Sequence, residues 1–441
     1  MGACELDRKM HQVLKSTQKE RRLECMVIKR HELSAIVSQE LLSRPSPSIE
    51  TPSVVIQLVL VPDTPTRSTG KSVKQAVDDW CQAHDQPPSG AAKYHHVHKH
   101  GLSLRWEQHT EFSSIVLIND DVTDWQKIDL TWLEGTQARL LTGSVIIVES
   151  SEIPNGWLDE HDGAVGGSVM DGQAVLATTL QPNSIGLVEY RIGNIALNAA
   201  RLGRLTQRIY EIETYRVMAL LGLPLAKTTG QQLDLLEERL INSVKRMGTD
   251  SELSDDQTLL DELFSLAQDS EELMANTDYR FSATQAYGQI VQDRLSEIHE
   301  EAVPTRQPLG EFLERRFEPA IRTTRHIVGR QQNLSARIAR AVSLARTRVE
   351  VTLQTQHKTQ LESMSKRAQL QLRLQRTVEG LSVMAISYYA IGILAYLLGG
   401  WIPSEKSKLL ISIVSPILLI IIWWALKQWR ARLLEEPDGD G

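Results

Sequence analysis

Cysteine is almost absent from this chain: Cys4, Cys25 and Cys81 are the three in 441 residues. An odd number without metal-ligand spacing excludes a disulfide framework and fits a reducing compartment. An excess of basic residues is missing as well. The formal charge is −7, and no basic region carries interleaved aromatics, so nucleic acid is not an expected partner. The common catalytic signatures are also lacking. There is no G-x-S-x-G, no H-E-x-x-H and no Cys/His pair placed for nucleophilic chemistry, so an enzyme is not expected. The first residues, MGACELDRKMHQVLK, have no apolar core, and Leu6 stands where a myristoylation pattern needs Ser or Thr. Neither a cleavable signal peptide nor an acyl anchor is expected at this end, and the soluble part is expected in the cytoplasm.

Long apolar runs, by contrast, are present and lie at the end of the chain. Gly380 to Ser404 contains no charged residue, and neither does Leu409 to Leu426. Crossing a hydrocarbon core about 30 Å thick takes roughly 17–25 apolar residues as a helix. Both runs qualify, and only Glu405, Lys406 and Lys408 carry charge between them, so an antiparallel hairpin is expected. Lys366, Arg367, Arg373 and Arg376 precede it, and Lys427, Arg430 and Arg432 follow it. That bias favours both termini on the cytoplasmic side, with Trp401 near one interface and Trp423, Trp424 and Trp429 near the other.

The rest divides by pattern. Ser53–Val61 (SVVIQLVLV) is too short and too β-branched for a helix and reads as a strand. Lys71–Ala83 reads as a helix, Leu102–Ile118 as strand material and Gly143–Glu149 as a buried strand. Val165–Met170 and Gln173–Thr179 flank Asp171-Gly172, a hairpin signal because a type I′ turn needs positive φ at both central residues. Near Glu189 the pattern changes. Ile195–Leu221 has helical periodicity bounded by Pro224, and helix then continues to the membrane with breaks near Gly248–Asp250, Pro304–Pro308 and Pro319. The expected fold is an α+β cytosolic domain followed by long α-helices and a C-terminal two-helix transmembrane hairpin. The divisions are a polar arm (1–30), the α/β domain (31–190), a helical region and stalk (191–380), the hairpin (381–426) and a cytoplasmic tail (427–441).

Charge is segregated within the helical region. Asp250–Glu301 holds fourteen acidic residues and two arginines, whereas Arg322–Val378 holds twelve Lys/Arg and two glutamates. One reading is two solvated faces; the other is an acidic helix packed on a basic one, within and between subunits. No strong breaker lies between Ser335 and Glu379, so the basic helix should continue into the first span. Its apolar stripe (Ile338, Val342, Ala345, Val349, then Leu361, Met364, Ala368, Val378, Leu381) cannot be hidden alone, which points to a homo-oligomer. In the first span Ser387, Tyr388, Gly392, Tyr396, Gly399 and Gly400 form a small and polar face, either lining a pore or packing helices. The second span is greasier and is expected to face lipid.

Three clusters are candidates for chemistry. RSTGKS (Arg67–Ser72) lies between a strand and a helix, the context of a phosphate loop, but Pro65 stands where the pattern needs glycine. A loop with an N-capped helix is the reading. Ile115–Asp120 has the look of an acidic metal-holding strand and nothing more. His95, His96, His98 and His100 could bind Zn²⁺ or Ni²⁺, against a solvated histidine-rich loop. Arg105, Glu107, His109 and Glu111 alternate with Leu104, Trp106 and Phe112 and so should share one strand face. Two carboxylates around an imidazole could hold a divalent cation or a partner arginine, against the ordinary polar face of a half-buried sheet. No other cofactor is expected. Arg204, Arg208, Glu211 and Glu213 read as salt-bridge partners.

RWEQHTEF (Arg105–Phe112), RLGRLTQRIYEIETYRVMALLGLPLA (Arg201–Ala226) and GLSVMAISYYAIGILAYLLGG (Gly380–Gly400) resemble a family of uncharacterised membrane-anchored proteins of Gram-negative bacteria, a domain of unknown function. That resemblance implies an inner-membrane, multi-pass location. Where the family resembles E-L-H-A-R-P, this chain reads Glu40-Leu41-Leu42-Ser43-Arg44-Pro45, so no role for that histidine carries over. The order of parts also resembles CorA-type magnesium channels, which are oligomers with a cytosolic α/β domain, acidic helices, a basic stalk and two spans. Their Gly-Met-Asn signature is replaced by Tyr396-Leu397-Leu398-Gly399-Gly400-Trp401. The expectation is an oligomeric inner-membrane protein, either a CorA-like divalent-cation channel or transporter, or a membrane-anchored scaffold or sensor with a cytosolic binding domain.

Overall fold

The computed structural model describes residues 45–62, 71–99, 101–120, 125–247, 253–399 and 404–433. The polar arm at 1–30, Arg67–Gly70 of the RSTGKS loop, His100, Gly400 and the last eight residues of the tail lie outside the described residues. The chain divides into two units. The first comprises Met1–Asn242 with Ser265–Ile338, and the second Ser243–Phe264 with Ala339–Gly441.

The first unit is built on one eight-stranded sheet in the order β2-β3-β4-β1-β5-β8-β7-β6. Its strands are β1 (Ser53–Pro62), β2 (Tyr94–Lys99), β3 (Leu102–Gln108), β4 (Ser113–Asn119), β5 (Ala138–Glu149), β6 (Ser168–Val169), β7 (Ala174–Pro182) and β8 (Val188–Asn194). Neighbours are antiparallel except β5 and β8, which run parallel. The continuous hydrophobic run of β1 follows from its central place, because both faces of the sheet are covered and neither row of side chains meets water. On one face Val54, Ile56 and Leu58 join Leu104, Trp106, Val145 and the helix α1 (Val73–Ala83). On the other, Val55, Val116, Ile146 and Tyr190 pack with the helix α3 (Ala199–Leu220) through Leu202, Leu205, Ile209 and Ile212.

Local chemistry fixes the element ends. Ser72 and Gln75 form a reciprocal capping box at α1, so the RSTGKS segment does start an N-capped helix. A short helix α2 (Asn155–Glu160) follows β5. Asp171 and Gly172 take positive φ (61° and 80°) between β6 and β7, the backbone that the Asp-Gly pair favours. Asn198 caps α3 by accepting from the Arg201 N–H. Pro224 falls in the first turn of α4 (Gly222–Arg246), where its missing N–H leaves no helical bond unmade. The next helices are α5 (Leu253–Glu297), α6 (Leu309–Arg316) and α7 (Glu318–Gly399), so breaks occur at the proline-bearing segments 298–308 and near Pro319.

Charges between helices are shared three ways. In the first unit Arg330 of α7 reaches Asp234 (2.7 Å) and Glu237 (3.1 Å) of α4, while Arg239 of α4 reaches Asp269 (2.6 Å) of α5. In the second, Arg348 of α7 reaches Asp256 (2.9 Å) and Arg246 pairs with Glu262. The acidic and basic segments therefore meet only in part, and α4, which carries both signs, takes up the remainder.

At 82 residues α7 is continuous, about 120 Å at 1.5 Å per residue. Beyond Val351 nearly all of its side chains are exposed. Among the described residues one helical stretch, within Leu309–Leu397, is long and apolar enough to cross a membrane by length and composition, and a shorter apolar stretch covers Ser412–Ala425 of α8 (Ser404–Leu433).

Candidate functional site

Alternation along β3 separates two kinds of side chain. Leu104 and Trp106 enter the apolar layer against α1, while Arg105 and Glu107 point to the α3 side. There α3 presents Gln207, Tyr210, Glu211, Thr214 and Tyr215, spaced three and four residues apart on one helical face. With His109, Phe112, Ser114 and Val116 they enclose a cavity of about 40 Å³. A water needs about 10–15 Å³ by that measure, so the space suits a few water molecules or one small ion.

Its walls are strongly polar. Arg105 is 5% exposed, donates to the Pro45 carbonyl at 2.6 Å and lies 5.5 Å from the centre of the Tyr94 ring. Burial pushes the Tyr94 hydroxyl pKa up; the Arg105 charge opposes this and the Glu107 charge adds to it. His109 Nε2 stands 3.4 Å from Glu107 Oε2, and its ring stacks on Phe112 with centroids 4.3 Å apart. Gln207 Nε2 donates to Glu211 Oε1 at 2.8 Å, and Arg294 of α5 holds the other oxygen of Glu211. Gln207 Oε1 is buried and accepts no hydrogen bond among the described residues. Burial raises the Tyr210 pKa far above its ordinary value, with Arg105 opposing.

Behind the cavity lies a second polar layer that locks α3 to the sheet. Gln57 of β1 donates to Thr214 Oγ1 at 2.8 Å. Glu213, fully buried, accepts from Thr142 Oγ1 (2.8 Å), Tyr190 OH (2.9 Å) and Arg216 (2.8 Å to each oxygen). A buried carboxylate is tolerable only when its oxygens are satisfied in this way. The expected salt-bridge roles hold for Glu211, Glu213 and Arg208, the last reaching Glu297 at 2.8 Å; Arg204 is exposed.

One member of the expected face departs from it. Strand β3 ends at Gln108 and the chain turns back at Phe112, so Arg105, Glu107 and His109 line the cavity while Glu111 does not. Glu111 instead takes both Arg280 and, at 2.7 Å, the Tyr287 hydroxyl of α5. Burial and that hydrogen bond raise the Tyr287 pKa. Of the alternatives open to this carboxylate, the structure shows the partner arginine. Of the α3 residues that line the cavity the sequence names Glu211 alone, as a salt-bridge partner; Gln207, Tyr210, Thr214 and Tyr215 escape it because nothing in a helical sequence says which strand its polar side chains will face. The i, i+3/4, i+7/8 spacing of Gln207, Glu211 and Thr214 was the available signal.

The histidines of β2 are held singly. His95 Nε2 contacts the Pro87 carbonyl (2.8 Å) and His98 Nδ1 the Ser103 hydroxyl (2.7 Å). Burial, then Arg105 and the neighbouring imidazoles, lowers the His96 pKa. Among the described residues no group of three or more His, Cys, Asp or Glu is placed to hold a metal ion.

The small and polar face of the first apolar run is split. Tyr388 and Tyr396 are 76% and 88% exposed, and a Cβ on Gly392 would meet nothing within 4 Å. Ser387 is 2% exposed and its hydroxyl has no hydrogen-bond partner among the described residues. One residue step turns a helix by about 100°, so Ser387 belongs to a different side from Tyr388, Gly392 and Tyr396. Gly399 is the last residue of α7.

Residues 29–433 match the model of a family described as protein of unknown function (DUF3422), and the chain belongs to that family. No curated protein matches it.

Proposed function

We propose that this member of the DUF3422 family is a subunit of a homo-oligomeric, membrane-anchored protein with CorA-like architecture, and that it conducts a divalent cation. The observation that carries the reading is α7, which runs unbroken from a basic half into the uncharged stretch starting at Gly380. From Val351 to Leu381 it exposes Leu361, Met364, Leu374 and Val378. Exposed apolar side chains in such a row are covered by bilayer or by neighbouring copies. In this reading the protein is a bacterial inner-membrane protein that crosses twice, with both termini cytoplasmic. Tyr388, Gly392 and Tyr396 then meet their counterparts around the axis, and the sheet unit lies on the cytoplasmic side. The order of sheet unit, acidic helix, basic stalk and two apolar helices resembles the CorA plan.

Flux into liposomes decides it. Reconstituted protein should carry Mg²⁺ to a trapped indicator, and Gly392→Leu should stop it while the oligomer keeps its mass. Absence of flux through the unaltered protein ends the channel reading. A second reading, a membrane-anchored sensor or scaffold, is favoured by the cavity beside Arg105, where a buried guanidinium and the free Gln207 Oε1 offer a small ligand both a donor and an acceptor. It predicts that replacing residues 381–426 by an unrelated anchor preserves the cellular phenotype.

A further inference from the structure

Between α4 and α5 of the first unit lies an open groove of about 670 Å³, lined by Leu235, Glu238, Asp269, Glu272 and Leu273 among others. Leu235 is 63% exposed. Arg239 is engaged with Asp269, and neither Glu238 nor Glu272 makes an ion pair among the described residues. The groove is therefore an apolar floor with an acidic rim.

The same unit carries a complementary surface. The buried stripe of α7 (Thr324, Ile327, Gln331, Leu334) is turned inward, and Gln331 Nε2 donates to Thr277 Oγ1 of α5 at 2.9 Å. Its outward side carries Arg322, Arg325 and Arg337, all exposed. At 3.6 residues per turn they fall within about a third of the helix circumference. None makes an ion pair with a described residue, and Gly329 between them leaves open space for a close approach.

The two surfaces lie at one level. Arg330 reaches Asp234 and Glu237 of α4 beside the groove, and Gln331 also contacts the carbonyl of Leu273 in its lining. Rotation about an axis along α7 carries a second copy's arginines to the height of this groove without any shift along the helix. Acid and base on different faces of one chain make a head-to-tail contact, which closes into a ring when the rotation divides a full turn.

We infer that the groove between α4 and α5 receives the Arg322, Arg325 and Arg337 face of α7 from a second copy of this chain. This rests on the oligomeric part of the proposed function and not on ion conduction. Arg guanidinium on carboxylate in a groove shielded by Leu235 and Leu273 gives directional, charge-assisted hydrogen bonds. The apolar floor supplies the area term.

The test uses full-length protein in detergent, with mass measured by light scattering over a dilution series. Glu238→Arg with Glu272→Arg should weaken association at least about tenfold, the change that about 1.4 kcal/mol makes. Arg322→Glu with Arg325→Glu should do the same, and the four changes together should restore most of the loss. Restoration excludes simple misfolding as the cause of the single effects. If either pair leaves association unchanged, or the losses add instead of cancelling, this contact is wrong although an oligomer exists. If unaltered protein is monomeric at every concentration, the oligomeric reading fails with it.

Discussion

The sheet unit and the part of α7 beyond Arg348 treat their side chains in opposite ways. In the first, even charged groups are taken in and given partners: Glu213 is fully buried on four hydrogen bonds from Thr142, Tyr190 and Arg216, and Arg105 is 5% exposed. In the second, apolar residues such as Leu361, Leu374 and Leu381 are left outside. The sheet unit gives its buried charged groups partners from within, while single buried atoms such as Gln207 Oε1 and Trp106 Nε1 make no hydrogen bond among the described residues. A helix that exposes leucines every few residues leaves apolar surface uncovered, and its stability depends on what surrounds it. The difference locates self-sufficiency in the sheet unit and dependence in the stalk.

The largest expected test of that contrast is Glu213→Ala. It leaves the partly buried Arg216 without its carboxylate and Tyr190 and Thr142 without an acceptor, a loss of about 3 kcal/mol. Urea unfolding of the sheet unit, followed by the fluorescence of buried Trp106, should show it. A midpoint within error of the unaltered protein would break the claim that this unit is held by its internal polar layer. Next comes a pair of glycines. A Cβ on Gly203 would sit 1.7 Å from the Pro47 carbonyl oxygen, whereas one on Gly392 meets open space. Gly203→Ala should cost about 1–3 kcal/mol through forced backbone shifts, and Gly392→Ala under about 0.5 kcal/mol; equal effects would erase the contrast.

A smaller effect is expected from Glu300. Burial raises its pKa above the ordinary 4.5, and the N–H groups of Gly310 and Leu309 only partly oppose this. The folded state therefore holds the proton more tightly than the unfolded chain. Stability should fall as pH rises from 4.5 through the folded pKa and level off above it. Glu300→Gln should flatten that stretch of the stability–pH curve; an unchanged slope would assign it to another group. The smallest effect on folding belongs to the stalk. Leu361→Ala should shift unfolding of the sheet unit by less than about 0.5 kcal/mol, while the oligomer proposed above should dissociate at lower dilution in detergent. The reverse outcome would place the dependence elsewhere.

Much of the fold was legible because its causes are local. The β-branched run at Ser53, the Asp171-Gly172 turn, the capping serine at 72 and the prolines at 224, 304, 308 and 319 each act within a few residues. The site was legible by half. Alternation along β3 correctly grouped Arg105 with Glu107, but the end of the strand at Gln108 removed Glu111 from the group. Its partner Arg280 is 169 positions away, and no short-range pattern encodes such a distance. The three-way sharing of charge among α4, α5 and α7 was hidden for a related reason. Net charge along the sequence shows that α5 is acidic and α7 basic, yet Asp234 and Glu237 sit in a helix of mixed sign.

By itself the sequence determined membership of its family, the succession from sheet to helix, and the uncharged stretches from Gly380 and Leu409, because composition and periodicity act along the chain. Tertiary structure alone decided which polar side chains are buried together. Tyr190, Thr142, Glu213 and Arg216 converge because β5, β8 and α3 are stacked face on face. Ser387 parts from Tyr388 because a side chain's surroundings depend on which side of its helix is covered, and that is set by what packs against it.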